Sequence, residues 1–339
     1  MRAVGFQSPK TPEAPVVLTD TELPKPVPQG RDLLVEIKAI SVNPIDTKVR
    51  KSFRPDPGEW RVLGWDAAGV VVGAGPDATH FKPGDEVYYA GAIGRPGTNA
   101  EYNLVDEQIV GRKPKSLSWT EAAALPLTSL TAWEMLFDRL RIREPVLGAA
   151  KAVVIIGAGG GVGSMAVQLA RQLTDLTVIG TGSRDVTKAW AKSLGAHHVI
   201  DHSKPIAADI AALGLGNPGL VFSITQTDKH IPSIVEFIAP QGRFGLIDDP
   251  AVLQIKPFKH KAVSIHWENM FTRSVFSTPD MPAQGKILSE VADLIDEGKI
   301  KTTVGEHFGA VTAKNLTRAH AIMEAGTAKG KIVLEGFGS

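Results

Sequence analysis

The chain has 339 residues, and at about 150 residues per domain that length argues for two domains rather than one small module. With 43% apolar and 22% charged residues it has the composition of a globular protein, which excludes wholesale disorder. Its 37 basic and 36 acidic residues leave almost no net charge to draw in a nucleic acid or an anionic membrane surface, and no apolar run approaches the roughly 20 residues that cross a bilayer.

The chain contains no cysteine, so disulfides, thiolate nucleophiles and zinc sites built on Cys ligands are all excluded. The opening segment MRAVGFQSPK lacks an apolar signal core, and the expected location is the cytoplasm.

Residues 1–126 are rich in Pro and Gly and carry short β-like runs at 33–43, 67–75 and 85–89, which predicts an irregular β-rich domain or barrel. A helix-like run follows at 127–140. Then come the apolar burst AVVIIG, a glycine cluster, the helix-like VGSMAVQLARQL and a second strand, TVIGTGS, which together make a βαβ unit. Further strand-like runs at 198–201, 220–224 and 243–247 alternate with helix-like stretches at 186–194, 206–213 and 231–238, as in a doubly wound parallel sheet. Beyond Ser264 two helix-like segments, 283–297 and 315–325, precede the terminal KIVLE. The expected division is therefore 1–126 plus 265–339 for one domain and 127–264 for the other.

Four apolar residues, Val153 to Ile156, run directly into the turn Gly157-Ala158-Gly159-Gly160-Gly161-Val162-Gly163. Small residues there let backbone amides approach a phosphate, and the following helix aims its unpaired N–H groups and positive dipole end at the same place. Against the dinucleotide fingerprint, Ala158, Gly160 and Gly163 take the three small-residue positions, with Gly161 and Val162 between them. At the end of the second strand, where a carboxylate would select a free ribose 2′-hydroxyl, the sequence reads Gly180-Thr181-Gly182-Ser183-Arg184, with Lys188 a helical turn on. A hydroxyl and two cations suit a 2′-phosphate, so the expected cofactor is NADPH. Ser223 and Thr225, after another apolar run, stand where the carboxyl end of a parallel strand would line the cofactor crevice.

Several longer stretches carry a resemblance: Ser41-Val42-Asn43-Pro44-Ile45-Asp46, Gly64-Trp65-Asp66-Ala67-Ala68-Gly69, the run from Ala124 to Trp133, the glycine turn with Val167-Gln168-Leu169-Ala170, and Gly195-Ala196-His197-His198-Val199-Ile200-Asp201. On these the chain resembles the medium-chain dehydrogenase/reductase superfamily over nearly its whole length. It is most similar to the zinc-free quinone oxidoreductase (ζ-crystallin-like) branch and to proteins labelled zinc-type alcohol dehydrogenase-like. The resemblance implies a GroES-like β-rich catalytic domain beside a Rossmann-type sheet, and dimers joined through the cofactor domain.

In zinc-bearing relatives the catalytic metal takes Cys, His and Cys; the matching positions here are Asn43, Trp65 and Leu127, none of which replaces its counterpart as a strong ligand. No metal is expected. His198 and His202 are four apart, but in a strand-like run, where that spacing does not unite ligands. Without a Lewis acid, hydride transfer needs an electron-poor acceptor, so the expected activity is NADPH-dependent reduction of a quinone. The rivals are an alkenal or enone reductase on the same scaffold and an NADPH-binding protein with little catalysis; a zinc alcohol dehydrogenase is opposed by the ligand replacements.

Standing in place of the first metal ligand, Asn43 is expected to hydrogen-bond the nicotinamide ribose or an acceptor carbonyl; the resemblance gives Asp46 a role fixing neighbouring basic side chains, with Arg50 as the partner at helical spacing, Thr131 a place against the nicotinamide, and His202 a contact near the adenosine ribose. Asn43 otherwise reads as a turn-former before Pro44, and Thr131 as a residue capping or packing the helix it begins. Where quinone reductases of this branch carry tyrosines, Lys48 and Arg54 stand instead. Trp60, Trp65, Tyr88 and Tyr89 offer either a flat wall for a planar acceptor or core, and Arg95 is a pocket charge or a solvated loop residue.

Overall fold

In the second half of the chain, the strand Ala150–Ile156 is apolar from Ala152 onward and these residues are at most 1% exposed, because helices cover both faces of the sheet it centres. Six strands lie in the order His198–Ile200, Thr177–Thr181, Ala150–Ile156, Pro218–Ser223, Arg243–Leu246 and Ser264–Trp267, all parallel. Helices Gly161–Leu173, Asp185–Ser193, Ala207–Ala212 and Thr227–Phe237 make the crossovers. Val154, Ile156, Ile179, Val221 and Leu246 share a core with Phe244 and Phe258, whose rings stack at 5.2 Å. This is the doubly wound sheet expected from the alternation of runs.

The computed structural model describes residues 1–9, 11 and 14–338, and it separates into two units, one of residues 1–127 with 271–338 and one of residues 128–270. The second boundary lies at Met270 rather than Ser264, since Ser264–Trp267 pairs with Arg243–Leu246 as the sixth strand. That strand, SIHW, is half-exposed at the sheet edge and carries no apolar run to announce it. The helix expected at 127–140 starts at Pro126, and after Trp133 it widens into a π-helical turn, Glu134–Arg139.

The first unit is built on the eleven-residue strand Asp32–Val42, which pairs antiparallel with Ala67–Ala74, Tyr102–Asp106 and Lys331–Glu335. Two registers matter. Ile40 faces Ala67, so the next step sets Ser41 beside Asp66; Ile332 faces Val42, so Lys331 falls beside Asn43. Ser41 and Asn43 are two apart and share a face of the strand end, which gathers four polar side chains in an apolar sheet. Tyr88 and Tyr89 are wholly buried, their hydroxyls donating to Leu288 O and Asn103 Oδ1, so they are core rather than an acceptor wall. Among the described residues no helix is long and apolar enough to cross a membrane.

Candidate functional site

The glycine turn connects strand Ala150–Ile156 to helix Gly161–Leu173. Gly157 has φ +90°, the left-handed conformation that only glycine adopts without strain, so the tight turn begins one residue before the small-residue motif. Ala158 packs against Gly180, where an added Cβ would lie 2.9 Å from the Ala158 methyl. At Gly163 a Cβ would meet Gly157 O at 2.2 Å, which is the close helix-to-strand approach the third position exists to allow.

Gly160 differs from both. It caps the helix at φ −86°, ψ −176°, a conformation open to any residue, and a Cβ there would meet nothing nearer than Gly157 O at 3.9 Å. The protein itself does not demand glycine at this position. A phosphate resting on the first amides of Gly161–Leu173 does, because those N–H groups have no intrahelical acceptor and a Cβ would fill the cradle. The turn therefore fits a dinucleotide.

At the end of strand Thr177–Thr181, the Thr181 hydroxyl accepts from Gly157 N at 3.1 Å and stands 2.8 Å from His202 Nδ1. Burial pushes the His202 imidazole below its ordinary value, and its ring lies 5.6 Å from that of His230. Ser183 and Arg184 are exposed at the start of helix Asp185–Ser193. Lys188 Nζ pairs with Asp185 at 2.9 Å and approaches Asp201 at 3.8 Å, so part of the expected positive charge is already balanced. Ser223 Oγ is bonded to Thr227 Oγ1 at 2.7 Å, and Thr227 in turn to Asp248. Thr225 packs on the turn, its methyl 3.1 Å from where a Gly157 Cβ would be. Thr131 is buried inside helix Pro126–Trp133 rather than at its start.

In the other unit, Asn43 precedes helix Pro44–Ser52, and the Asp46 carboxylate accepts from Asn43 N at 2.7 Å, closing the first turn. The expected Asp46–Arg50 pair does not form: Arg50 binds Glu324 at 2.7 Å, and the other Asp46 oxygen is buried with no partner among the described residues. Burial pushes the Asp46 carboxyl up to about 7, assisted by nearby Asp66 and opposed by the Asn43 amide and Lys331. Arg54 turns back onto the carbonyls of Lys51 and Phe53. Arg95 is held bidentate by Asp32 at 2.7 and 2.9 Å, so it brings no unbalanced charge.

Asp66 is the centre of this cluster, and it escaped the sequence reading. Its Oδ2 accepts from Ser41 Oγ at 2.8 Å, Asn43 Nδ2 at 2.7 Å and Lys331 Nζ at 3.0 Å; its Oδ1 accepts from Leu127 N at 2.8 Å. Lys331 Nζ also donates to Val42 O at 2.9 Å and to Asn43 Oδ1. Asp66, Asn43 and Lys331 are at most 2% exposed. A lysine at the head of the apolar run KIVLE, which a buried strand otherwise has no reason to carry, was the signal available for it.

Asn43 and Leu127 are thus both bonded to the carboxylate that follows Trp65. These are the three positions of the zinc-ligand pattern, and they do not fit zinc. The Asn43 amide is taken by Asp66 and Lys331, the Trp65 indole donates to Ala92 O at 3.3 Å, and Leu127 has no donor atom in its side chain. Among the described residues no group of three or more His, Cys, Asp or Glu is placed to hold a metal ion.

The chain matches the alcohol dehydrogenase GroES-like domain over residues 29–115 and the zinc-binding dehydrogenase family over residues 194–334. It belongs to the medium-chain dehydrogenase/reductase superfamily and is an oxidoreductase of that family. A zinc-type alcohol dehydrogenase-like protein of Staphylococcus aureus is 37% identical over 340 residues, covering 98% of this chain and 99% of that protein. A Rhizobium etli protein named for zinc-dependent alcohol dehydrogenase is 62% identical, with a TM-score of 0.97 over 100% of this chain and 99% of that one. A Pseudomonas syringae quinone oxidoreductase is 26% identical, with a TM-score of 0.81 over 98% and 99% of the two chains.

Proposed function

We propose that this chain is an NADPH-dependent oxidoreductase that reduces quinones without a metal. The observation that carries the reading is the donor set at Asn43, Trp65 and Leu127, where an amide, an indole and an aliphatic side chain replace zinc ligands and a buried ion pair ties two of those positions together. No side chain there can hold a Lewis acid that would lower an alcohol's pKa, so the acceptor must take hydride unaided.

Nicotinamide dinucleotide binding is expected of this family. When bound, the reduced nicotinamide supplies the hydride. At the turn from Ala158 to Gly163, the first amides of helix Gly161–Leu173 are offered to the pyrophosphate. Ser183, Arg184 and Lys188 receive the 2′-phosphate, and His202 the adenosine ribose. Ser223 and Thr225 line the crevice, and Thr131 packs against the nicotinamide. Asn43 meets an acceptor oxygen through the Nδ2 N–H that Asp66 does not take and stabilises the charge that builds there. Asp46 fixes the Asn43 backbone from below. The hydroquinone oxygens take their protons from water. We place the protein in the cytoplasm as a homodimer joined through the cofactor unit, whose edge strand Ser264–Trp267 carries the half-exposed Trp267.

The test mixes purified protein with NADPH or NADH and a panel of quinones, enals and alcohols, following loss of reduced nicotinamide, and measures zinc per chain. Turnover confined to quinones with zinc far below one per chain supports the proposal. Alcohol oxidation by a chain holding stoichiometric zinc refutes it, and enal reduction alone transfers it to the rival acceptor class.

A further inference from the structure

We infer that Lys331 is a positioning residue for Asn43: with Asp66 it locks the Asn43 amide so that the remaining N–H keeps one fixed direction, an inference that rests on the role given to Asn43 above, where that N–H meets the acceptor oxygen. An asparagine amide can flip by a half-turn about its last bond, exchanging its donor and acceptor faces at little intrinsic cost. Here it cannot. Its oxygen accepts from an ammonium and its nitrogen donates to a carboxylate 2.7 Å away, and a flip would set oxygen against carboxylate and N–H against ammonium.

All three groups are nearly inaccessible to water, so each mismatch would be unscreened. The ammonium on Oδ1 also draws electron density from the amide and strengthens its N–H as a donor. The arrangement has a second effect. Asp66 bonds the Asn43 side chain and the Leu127 backbone amide while following Trp65 directly in the chain. It thereby ties together the three segments that a metal would otherwise join, with the Lys331 ammonium supplying a fixed positive charge beside them.

The experiment compares Lys331→Met, Asn43→Ala and the double variant, with side-chain amide NMR on protein labelled at asparagine nitrogen; Asn43→Ala assigns the Asn43 signal by removing it. In the unaltered chain the Asn43 amide protons should be shifted and protected from exchange, and Lys331→Met should collapse both. With NADPH and a reducible quinone, Lys331→Met should lower kcat/KM about 10- to 100-fold, mostly in kcat, and change it less than about twofold once Asn43 is alanine. Lys331→Arg should recover part of the loss.

Equal losses with and without Asn43, or an Asn43 signal indifferent to Lys331, overturn the inference. Should Lys331→Met not fold, Asp66→Asn, which keeps the shape and removes the charge, takes its place in the cycle with the same expectations. If the unaltered protein reduces no quinone, the functional proposal fails while the NMR result still decides the positioning.

Discussion

Replacing Gly160 by alanine separates a glycine required by a ligand from one required by the fold. The backbone at Gly160 is ordinary, at φ −86° and ψ −176°, and the nearest atom to an added Cβ is 3.9 Å away. Alanine is a poorer helix cap than glycine, so the expected loss of stability is below about 1 kcal/mol. The methyl, however, occupies the space over the first amides of Gly161–Leu173. A pyrophosphate pushed off one such N–H loses a charge-assisted hydrogen bond of about 1.5–3 kcal/mol, which is about 10- to 100-fold in Kd.

Gly163→Ala is the control with the opposite profile. Its Cβ would sit 2.2 Å from Gly157 O and 2.6 Å from Ala158 Cα, so the turn itself must shift, at a cost of about 1–3 kcal/mol and a melting midpoint lower by about 2–8 °C. Titration of NADPH fluorescence alongside thermal melts reads both quantities. If Gly160→Ala melts like the unaltered chain and also binds NADPH within about twofold of it, the pyrophosphate does not lie on this turn.

The Asp46 carboxyl, raised to about 7 from an ordinary 3.8, takes up a proton on folding; its favourable contribution is complete below the lower value and disappears as pH rises through the upper one. Asp46→Asn should therefore flatten the fall in urea midpoint between pH 5 and pH 8, and identical slopes in the two proteins would contradict the assignment. His320 runs the other way: it is wholly buried with neither ring nitrogen hydrogen-bonded among the described residues, and burial pushes it down to about 4, so stability falls as pH drops below 6.5. His320→Leu should raise stability by about 1–3 kcal/mol at pH 5 and remove that acid limb, as equilibrium denaturation at pH 5 and pH 7 would show. The Arg184→Ala, Lys188→Ala double variant should lower the ratio of NADPH to NADH affinity by about 10- to 100-fold while leaving NADH affinity within about threefold. Equal loss for both nucleotides would place the 2′-phosphate elsewhere.

The inner strands of the parallel sheet were legible because each is buried on both faces and so reads as a largely apolar run, as in AVVII or LVF. Ser264–Trp267 was not, since an edge strand with one open side tolerates serine and histidine. In the other unit, Thr19–Glu22, with the sequence TDTE, is held by its pairing to Arg2–Phe6 and by nothing in its own composition.

The glycine turn was readable from spacing alone because a local motif makes it. Asp66 and Lys331 were not, because their meaning lies in two strand registers that bring together residues 265 positions apart. The Arg50 partner was misassigned for a similar reason: Glu324 reaches it from a helix no local spacing could anticipate.

The pairing of Lys331–Glu335 with Asp32–Val42 bears on how the chain matures during synthesis. Every strand of the cofactor sheet leaves the ribosome before Lys331, so that unit can close early on contacts of short range. The first unit cannot. Until its last strand arrives, the Asp66 carboxylate must stay hydrated or sit in a dry pocket without a counterion, and the second state is too costly to persist. The half-made sheet should therefore remain open, and a premature stop shortly before Lys331 would yield a complete parallel-sheet unit attached to a partner that never sets.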